Sequence, residues 1–122
     1  MSSMKLLVVE DDADVRLGYR ILLRAHDYQT CFAQDAAMAL SVARKELPDL
    51  IILDLGLPAD DGFLVLERLA NVPELRAIPV IVVSARDHRN NEERALKAGA
   101  RAYVQKPWDD DALLALIRHL LG

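Results

Sequence analysis

Three short runs in this sequence are apolar at nearly every position: Lys5-Leu6-Leu7-Val8-Val9, Leu50-Ile51-Ile52-Leu53 and Pro79-Val80-Ile81-Val82-Val83. None alternates apolar with polar residues. A strand with one face in water must alternate, so these runs fit strands covered on both faces, as in a parallel sheet flanked by helices. Tyr28 to Phe32 and Ala102 to Val104 are two weaker strand candidates.

Helical patterns fill the intervals. Val15, Tyr19, Leu22 and Leu23 share one face of a first helix, with Asp11, Asp12 and Asp14 where a cap and first turn belong. Gly18 lies inside that helix at a cost of about 1 kcal/mol against Ala, which points to close packing there. Ala36, Ala39, Leu40, Ala43 and Leu47 form a second stripe, ended by Pro48. Phe63 to Ala70 forms a third helix, and Asn90 to Ala98 a fourth whose apolar face is thin (Ala95, Leu96). Leu113, Ile117, Leu120 and Leu121 line the fifth, with Leu114 left on its exposed side and Asp109 to Asp111 at its start. The order β-α, repeated five times, predicts an α/β, doubly wound five-stranded parallel sheet with helices on both faces. Ligands of such sheets sit beyond the carboxyl ends of the strands.

Composition narrows the function classes. A chain of 122 residues, 52% hydrophobic and 28% charged, suits one globular domain and neither a disordered segment nor a membrane protein. No apolar run approaches the roughly 20 residues that span a bilayer, and no basic-then-apolar leader precedes Lys5. Cys31 is the single cysteine, which excludes a disulfide framework and a thiolate metal cluster and suggests a cytoplasmic protein. A net charge of −4, with Lys and Arg scattered, argues against direct nucleic-acid binding. Residues 1–4 read as an N-terminal tail and residues 5–122 as one domain.

Chemistry concentrates where the strands end. The first runs into Glu10-Asp11-Asp12, the third into Asp54, the fourth into Ser84 and the fifth into Lys106. Parallel strands bring all of these to one edge. Crowded carboxylates repel unless a cation neutralises them, and hard oxygen ligands suit Mg²⁺. Asp can accept a phosphoryl group, whose oxygens could be met by Mg²⁺, Lys106 and the Ser84 hydroxyl. Taken singly, each group has a plainer role. Asp54 could cap a turn, Ser84 could bond local backbone, and Lys106 could be an ordinary surface lysine. Asp12 is expected to cap the first helix, Trp108 to pack at the surface and Cys31 to serve as a small buried hydrophobe.

Taken together, the residues resemble the receiver domain of two-component response regulators, over nearly the whole chain. The resemblance rests on Glu10-Asp11, on Asp54-Leu55-Gly56-Leu57-Pro58 with Asp61-Gly62, on Ser84-Ala85 and on Lys106-Pro107. It implies the flavodoxin-like (βα)5 fold with strand order 2-1-3-4-5. It implies Asp54 as phosphoacceptor and a Mg²⁺ site made by Glu10, Asp11, Asp54 and the Gly56 carbonyl. Ser84, Ala85 and Lys106 match the phosphoryl-binding set. Ser84 and Tyr103 match the switch pair, Gly56 and Arg86 the positions that tune phosphoryl lifetime, and Pro107 a cis-proline.

The function implied is a phosphorelay switch, with a sensor histidine kinase or histidine phosphotransfer protein as donor. Beyond self-catalysed phosphorylation and slow autodephosphorylation, no enzyme activity is implied. Phosphorylation is expected to change the face made by helix four, strand five and helix five, where an output domain, a partner protein or a second copy (a homodimer) would bind. The exposed side of helix five, Leu114 included, is expected to contribute. The alternative is a phosphorylation-independent interaction module on the same fold. A phosphatase with an Asp nucleophile usually carries a second acid two residues later, where this chain has Gly56. No phosphate-binding glycine loop follows any strand. The chain is expected to be either a stand-alone receiver or the amino-terminal part of a longer regulator.

Overall fold

The structure, a computed structural model, describes residues 3–57, 61–85 and 88–122, apart from the side chains of Asp61 and residues 88–90. Its elements run β1 (Lys5–Val9), α1 (Ala13–Ala25), β2 (Gln29–Ala33), α2 (Ala36–Glu46), β3 (Leu50–Asp54), α3 (Asp61–Asn71), β4 (Val80–Ser84), α4 (His88–Lys97), β5 (Ala102–Gln105) and α5 (Asp110–Leu121). All strand pairs are parallel and the order is β2-β1-β3-β4-β5.

The missing alternation now has its cause. Leu7, Val9, Ile51, Leu53, Val80 and Val82 pack on the side of α2, α3 and α4. Their neighbours Leu6, Val8, Leu50, Ile52, Ile81 and Val83 pack on the side of α1 and α5. Successive side chains point to opposite faces, and both faces are dry. Three helix starts are fixed by aspartates. Asp12 accepts from the Asp14 and Val15 amides at 2.8 and 3.2 Å, Asp35 from Met38 at 2.9 Å, and Asp109 from Asp111 at 3.3 Å.

Several expectations change. Leu114 is buried with Leu113 and Ile117 against the sheet, so the apolar face of α5 is wider than one stripe and Leu114 is not available to a partner. Leu47 leaves the α2 stripe. Pro48 disfavours the helical conformation at the residue before it, so α2 ends at Glu46 and Leu47 turns into the left-handed region (φ 45°), exposed. Gly18 is not tightly packed: a Cβ built there meets no atom within 4 Å. Cys31 is half-buried rather than enclosed, its Sγ 3.7 Å from the Leu6 carbonyl. Trp108 packs at the surface as expected, half-buried and stacked on Tyr19 with ring centroids 5.2 Å apart.

Among the described residues of α4, the helix with the thin apolar face, only Ala95 is buried. Ala95 is buried while Leu96 is 45% exposed, and the guanidinium of Arg94 lies 3.7 Å from the Phe63 ring centroid, tying α4 to α3.

The two glycines give opposite predictions. Gly18→Ala is expected to stabilise the fold by about 0.5–1 kcal/mol, since the exposed helical site has room for a methyl group. At Gly62 a Cβ would lie 2.7 Å from the Leu55 backbone, a clash that rotation cannot relieve. Gly62→Ala is expected to cost about 1–3 kcal/mol. Urea unfolding midpoints of the two variants check both signs.

Candidate functional site

The site follows from strand register. Val9, Leu53 and Val82 lie in one row across the sheet, so the residues that continue β1, β3 and β4 emerge together. Glu10 is held there by its amide, which donates to the Ala33 carbonyl at 2.9 Å, and by its own carbonyl, which accepts from Arg16 Nη1 at 2.7 Å. Ser84 ends β4 and is fully buried, and its carbonyl accepts from the Lys106 amide at 2.8 Å. The Lys106–Pro107 peptide is cis.

One ammonium joins two carboxylates. Lys106 Nζ lies 3.0 Å from Asp54 Oδ2 and 3.2 Å from Glu10 Oε1. Asp54 and Glu10 are both buried. The second oxygen of Asp54 accepts from the Gly56 amide at 2.8 Å, and Glu10 Oε2 accepts from the Asp12 amide at 3.2 Å. Asp11 is exposed beside them, yet one carboxylate oxygen from each of Glu10, Asp11 and Asp54 falls within 4.8 Å of the others.

This is an unbalanced charge set. Three carboxylates face a single ammonium. Burial, then the hydrogen bond and charge of Asp54, push Glu10 up to about 7, against the opposing pull of the Asp12 amide and Lys106. For Lys106, burial pulls downward, but the hydrogen bond and charge of Asp54, followed by Glu10, outweigh it and raise the pKa. Tyr19 is also held well above the usual phenol range, by burial first and then by the charges of Glu10 and Asp54. Hard, anionic oxygens clustered in this way fit a divalent cation of the Mg²⁺ kind, which typically takes one or two carboxylates.

The remaining predicted residues fall around this centre. Gly56 is exposed at its edge, and a Cβ on it would stand 3.3 Å from Asp54 Oδ1. Ala85 lines an open hollow with Val15, Lys106, Pro107 and Trp108. Tyr103 stands apart from the carboxylates: its ring packs on the α2–α4 side of the sheet and its hydroxyl oxygen is buried. Arg86 and Pro58 lie outside the described residues, as do Met1 and Ser2 of the expected tail. Two features were not anticipated from sequence, the Arg16 contact to the Glu10 carbonyl and the Tyr19–Trp108 stack beside Lys106. The i, i+6 separation of Glu10 and Arg16 gives no periodic signal. An aromatic on α1 and another next to Lys106-Pro107 could have suggested the stack.

The raised Glu10 pKa sets a pH dependence for the metal-free protein. The folded state keeps a proton that the unfolded chain releases above about 4.5. The associated stability is therefore present below about pH 4.5 and lost as pH rises through about 7. In chelator-treated protein, Glu10→Gln is expected to raise Tm over wild type by several degrees at pH 8 and by little at pH 4.5. Each kcal/mol corresponds to about 3–5 °C for a domain of this size. An advantage of equal size at both pH values contradicts this account.

Comparison with known proteins agrees with this arrangement. Residues 6–118 match the response regulator receiver domain family. The response regulator PleD of Caulobacter vibrioides is 40% identical over 119 residues, covering 97% of this chain and 26% of PleD. The chain thus spans about a quarter of that relative. The polar-differentiation response regulator DivK of Brucella ovis is 34% identical over 122 residues, covering 100% of this chain and 98% of DivK. Among solved structures, the receiver domain of the sensor histidine kinase PA1611 from Pseudomonas aeruginosa superposes with a TM-score of 0.90 at 25% identity, covering 99% of each chain. That structure is described as having a magnesium ion coordinated in the active site cleft. With its five parallel strands in order 2-1-3-4-5 and its acidic edge around Asp54, the chain belongs to the receiver domains of two-component response regulators.

Proposed function

We propose that this receiver domain accepts a phosphoryl group on Asp54 from a phosphohistidine of a sensor kinase or phosphotransfer protein, and that it signals through the resulting change of shape. The observation that carries the reading is the buried Asp54 carboxylate, hydrogen-bonded to Gly56 and paired with Lys106, beside Glu10 and Asp11. In the transfer, a carboxylate oxygen of Asp54 forms a bond to phosphorus while the bond from phosphorus to the donor imidazole nitrogen breaks. The electron pair returns to the imidazole. Glu10, Asp11, Asp54 and the Gly56 carbonyl would hold Mg²⁺, as the magnesium named for the PA1611 receiver supports. Bound there, Mg²⁺ supplies positive charge that screens the carboxylates and the phosphoryl oxygens from one another.

The chain's own groups do the rest. Lys106 gives up its contact to Asp54 Oδ2 and takes a phosphoryl oxygen, keeping its charge in the site. The Ser84 hydroxyl, at the end of β4, takes another. Displacement of Ser84 leaves space toward β5, where Tyr103 is the aromatic positioned to follow it. The lightly held α4 then shifts with β5 and α5, changing the output face. Self-catalysed phosphorylation and slow hydrolysis complete the cycle, each round consuming one phosphoryl donor and one water and releasing phosphate. The full set of Glu10, Asp11, Asp54, Ser84 and Lys106 favours this chemistry over a phosphorylation-independent module. Among the described residues no helix is long and apolar enough to cross a membrane. That finding and the single cysteine support a cytoplasmic setting.

Intact-mass spectrometry after incubation with acetyl phosphate tests the reading. One added phosphoryl group is expected, dependent on Mg²⁺ and abolished in Asp54→Asn. A Mg²⁺-independent adduct, or one that survives Asp54→Asn, contradicts the assignment. Lys106→Met is expected to lower the adduct yield about tenfold or more by removing the charge that meets the phosphoryl oxygens, with the same assay as readout.

A further inference from the structure

We propose that the flank of α1 facing the β2 edge is a second interaction surface, built to bind an acidic amphipathic helix of a partner protein. Arg16, Arg20 and Arg24 recur every four residues along α1, and Leu17 and Ile21 lie beside them at the same spacing. On a helix with 3.6 residues per turn, Arg20, Arg24, Leu17 and Ile21 fall within about 100° of arc. This flank is distinct from the one that carries Val15, Gly18 and Leu22, which line a hollow with Trp108. It is also at the opposite sheet edge from β5.

The surface is a furrow between helix and edge strand. Ala13, Arg16, Leu17, Arg20 and Phe32 line its upper part, and Arg20, Arg24, Tyr28, Gln29 and Thr30 its lower part. Among the described residues, no carboxylate lines either part. No ion pair among the described residues involves Arg20 or Arg24, in a chain whose net charge is −4. Arg20 lies over the Phe32 ring at 5.7 Å, which holds its guanidinium at the furrow. Ile21 is 63% exposed and Leu17 52%.

Charge and apolar surface together select the occupant. Two arginines one helical turn apart, neither in an ion pair among the described residues, match carboxylates placed at i and i+4 on a partner helix, with guanidinium–carboxylate geometry favouring the pairing. Leu17 and Ile21 add an apolar row beside the cationic one, as a helix with an acidic face and an apolar stripe requires. A polyanion without apolar groups would use the arginines and leave Ile21 idle. Arg16, at the upper end of this surface, donates from Nη1 to the Glu10 carbonyl at 2.7 Å.

The test is an NMR titration of the isotopically labelled full chain with an acidic helical peptide, glutamates at i and i+4 beside a leucine stripe. A lysine-for-glutamate version of the peptide and an oligouridylate serve as comparisons. With the acidic peptide, saturable amide shifts are expected at residues 16–24 and 29–33. Arg20→Glu with Arg24→Glu is expected to weaken binding at least about tenfold, and Ile21→Ser alone several-fold, with Tm and the acetyl-phosphate adduct unchanged. The absence of saturable shifts in this region overturns the proposal. So does binding indifferent to the arginine reversals, or oligouridylate binding as tight as the peptide and unaffected by Ile21→Ser. The adduct assay keeps the two readings separate, because failure of Asp54 to accept a phosphoryl group leaves the peptide titration unchanged.

Discussion

The Lys106 ammonium, shared between Asp54 and Glu10, is the interaction on which the acidic edge depends. Two buried carboxylates side by side are costly in a low-dielectric setting, and a third stands within reach. Burial first, and then the hydrogen bond and charge of Asp54, hold Glu10 far above the ordinary carboxylate range, and Lys106 offsets only part of this. The fold confines these groups rather than relieving them. Glu10 is fixed through both its amide and its carbonyl, Asp54 through the Gly56 amide, and Lys106 through its amide to the end of β4. The remaining imbalance of anionic oxygens is of the kind that suits a divalent cation.

Rigidity and looseness divide along the chain. The sheet is dry on both faces and its register places the carboxyl ends with little freedom. By contrast, among the described residues of α4 only Ala95 is buried, with Arg94 stacked over Phe63. A small displacement at Ser84 therefore meets a stiff β3 on one side and a lightly anchored helix on the other. In the proposed cycle, motion starting at Asp54 would go where the packing is weakest.

Much of this was legible in the sequence, for stated reasons. Strands buried on both faces leave unbroken apolar runs, and parallel topology then sends their polar successors to one edge. That logic sends Glu10, Asp11, Asp54 and Lys106 to one edge, where the structure gathers them. The misreadings are equally physical. Leu47 continued the spacing of α2, but Pro48 ended the helix and turned it outward. Leu114 fell beside a single stripe, but α5 buries a broader arc. Gly18 suggested close packing and faces open space. The Arg16, Tyr19–Trp108 and Arg94–Phe63 contacts depend on how side chains turn, which spacing does not encode.

The central claim is that Lys106 neutralises the resting site and changes partner when phosphoryl arrives. A crystal structure with Mg²⁺ and beryllofluoride, standing in for the phosphoryl group on Asp54, tests it most directly. The account predicts Lys106 Nζ on a fluoride, its 3.0 Å contact to Asp54 Oδ2 broken, and the cation among Glu10, Asp11 and Asp54. Lys106 still paired with Asp54 and Glu10 as in the resting site, with the fluoride met by other groups, would contradict it.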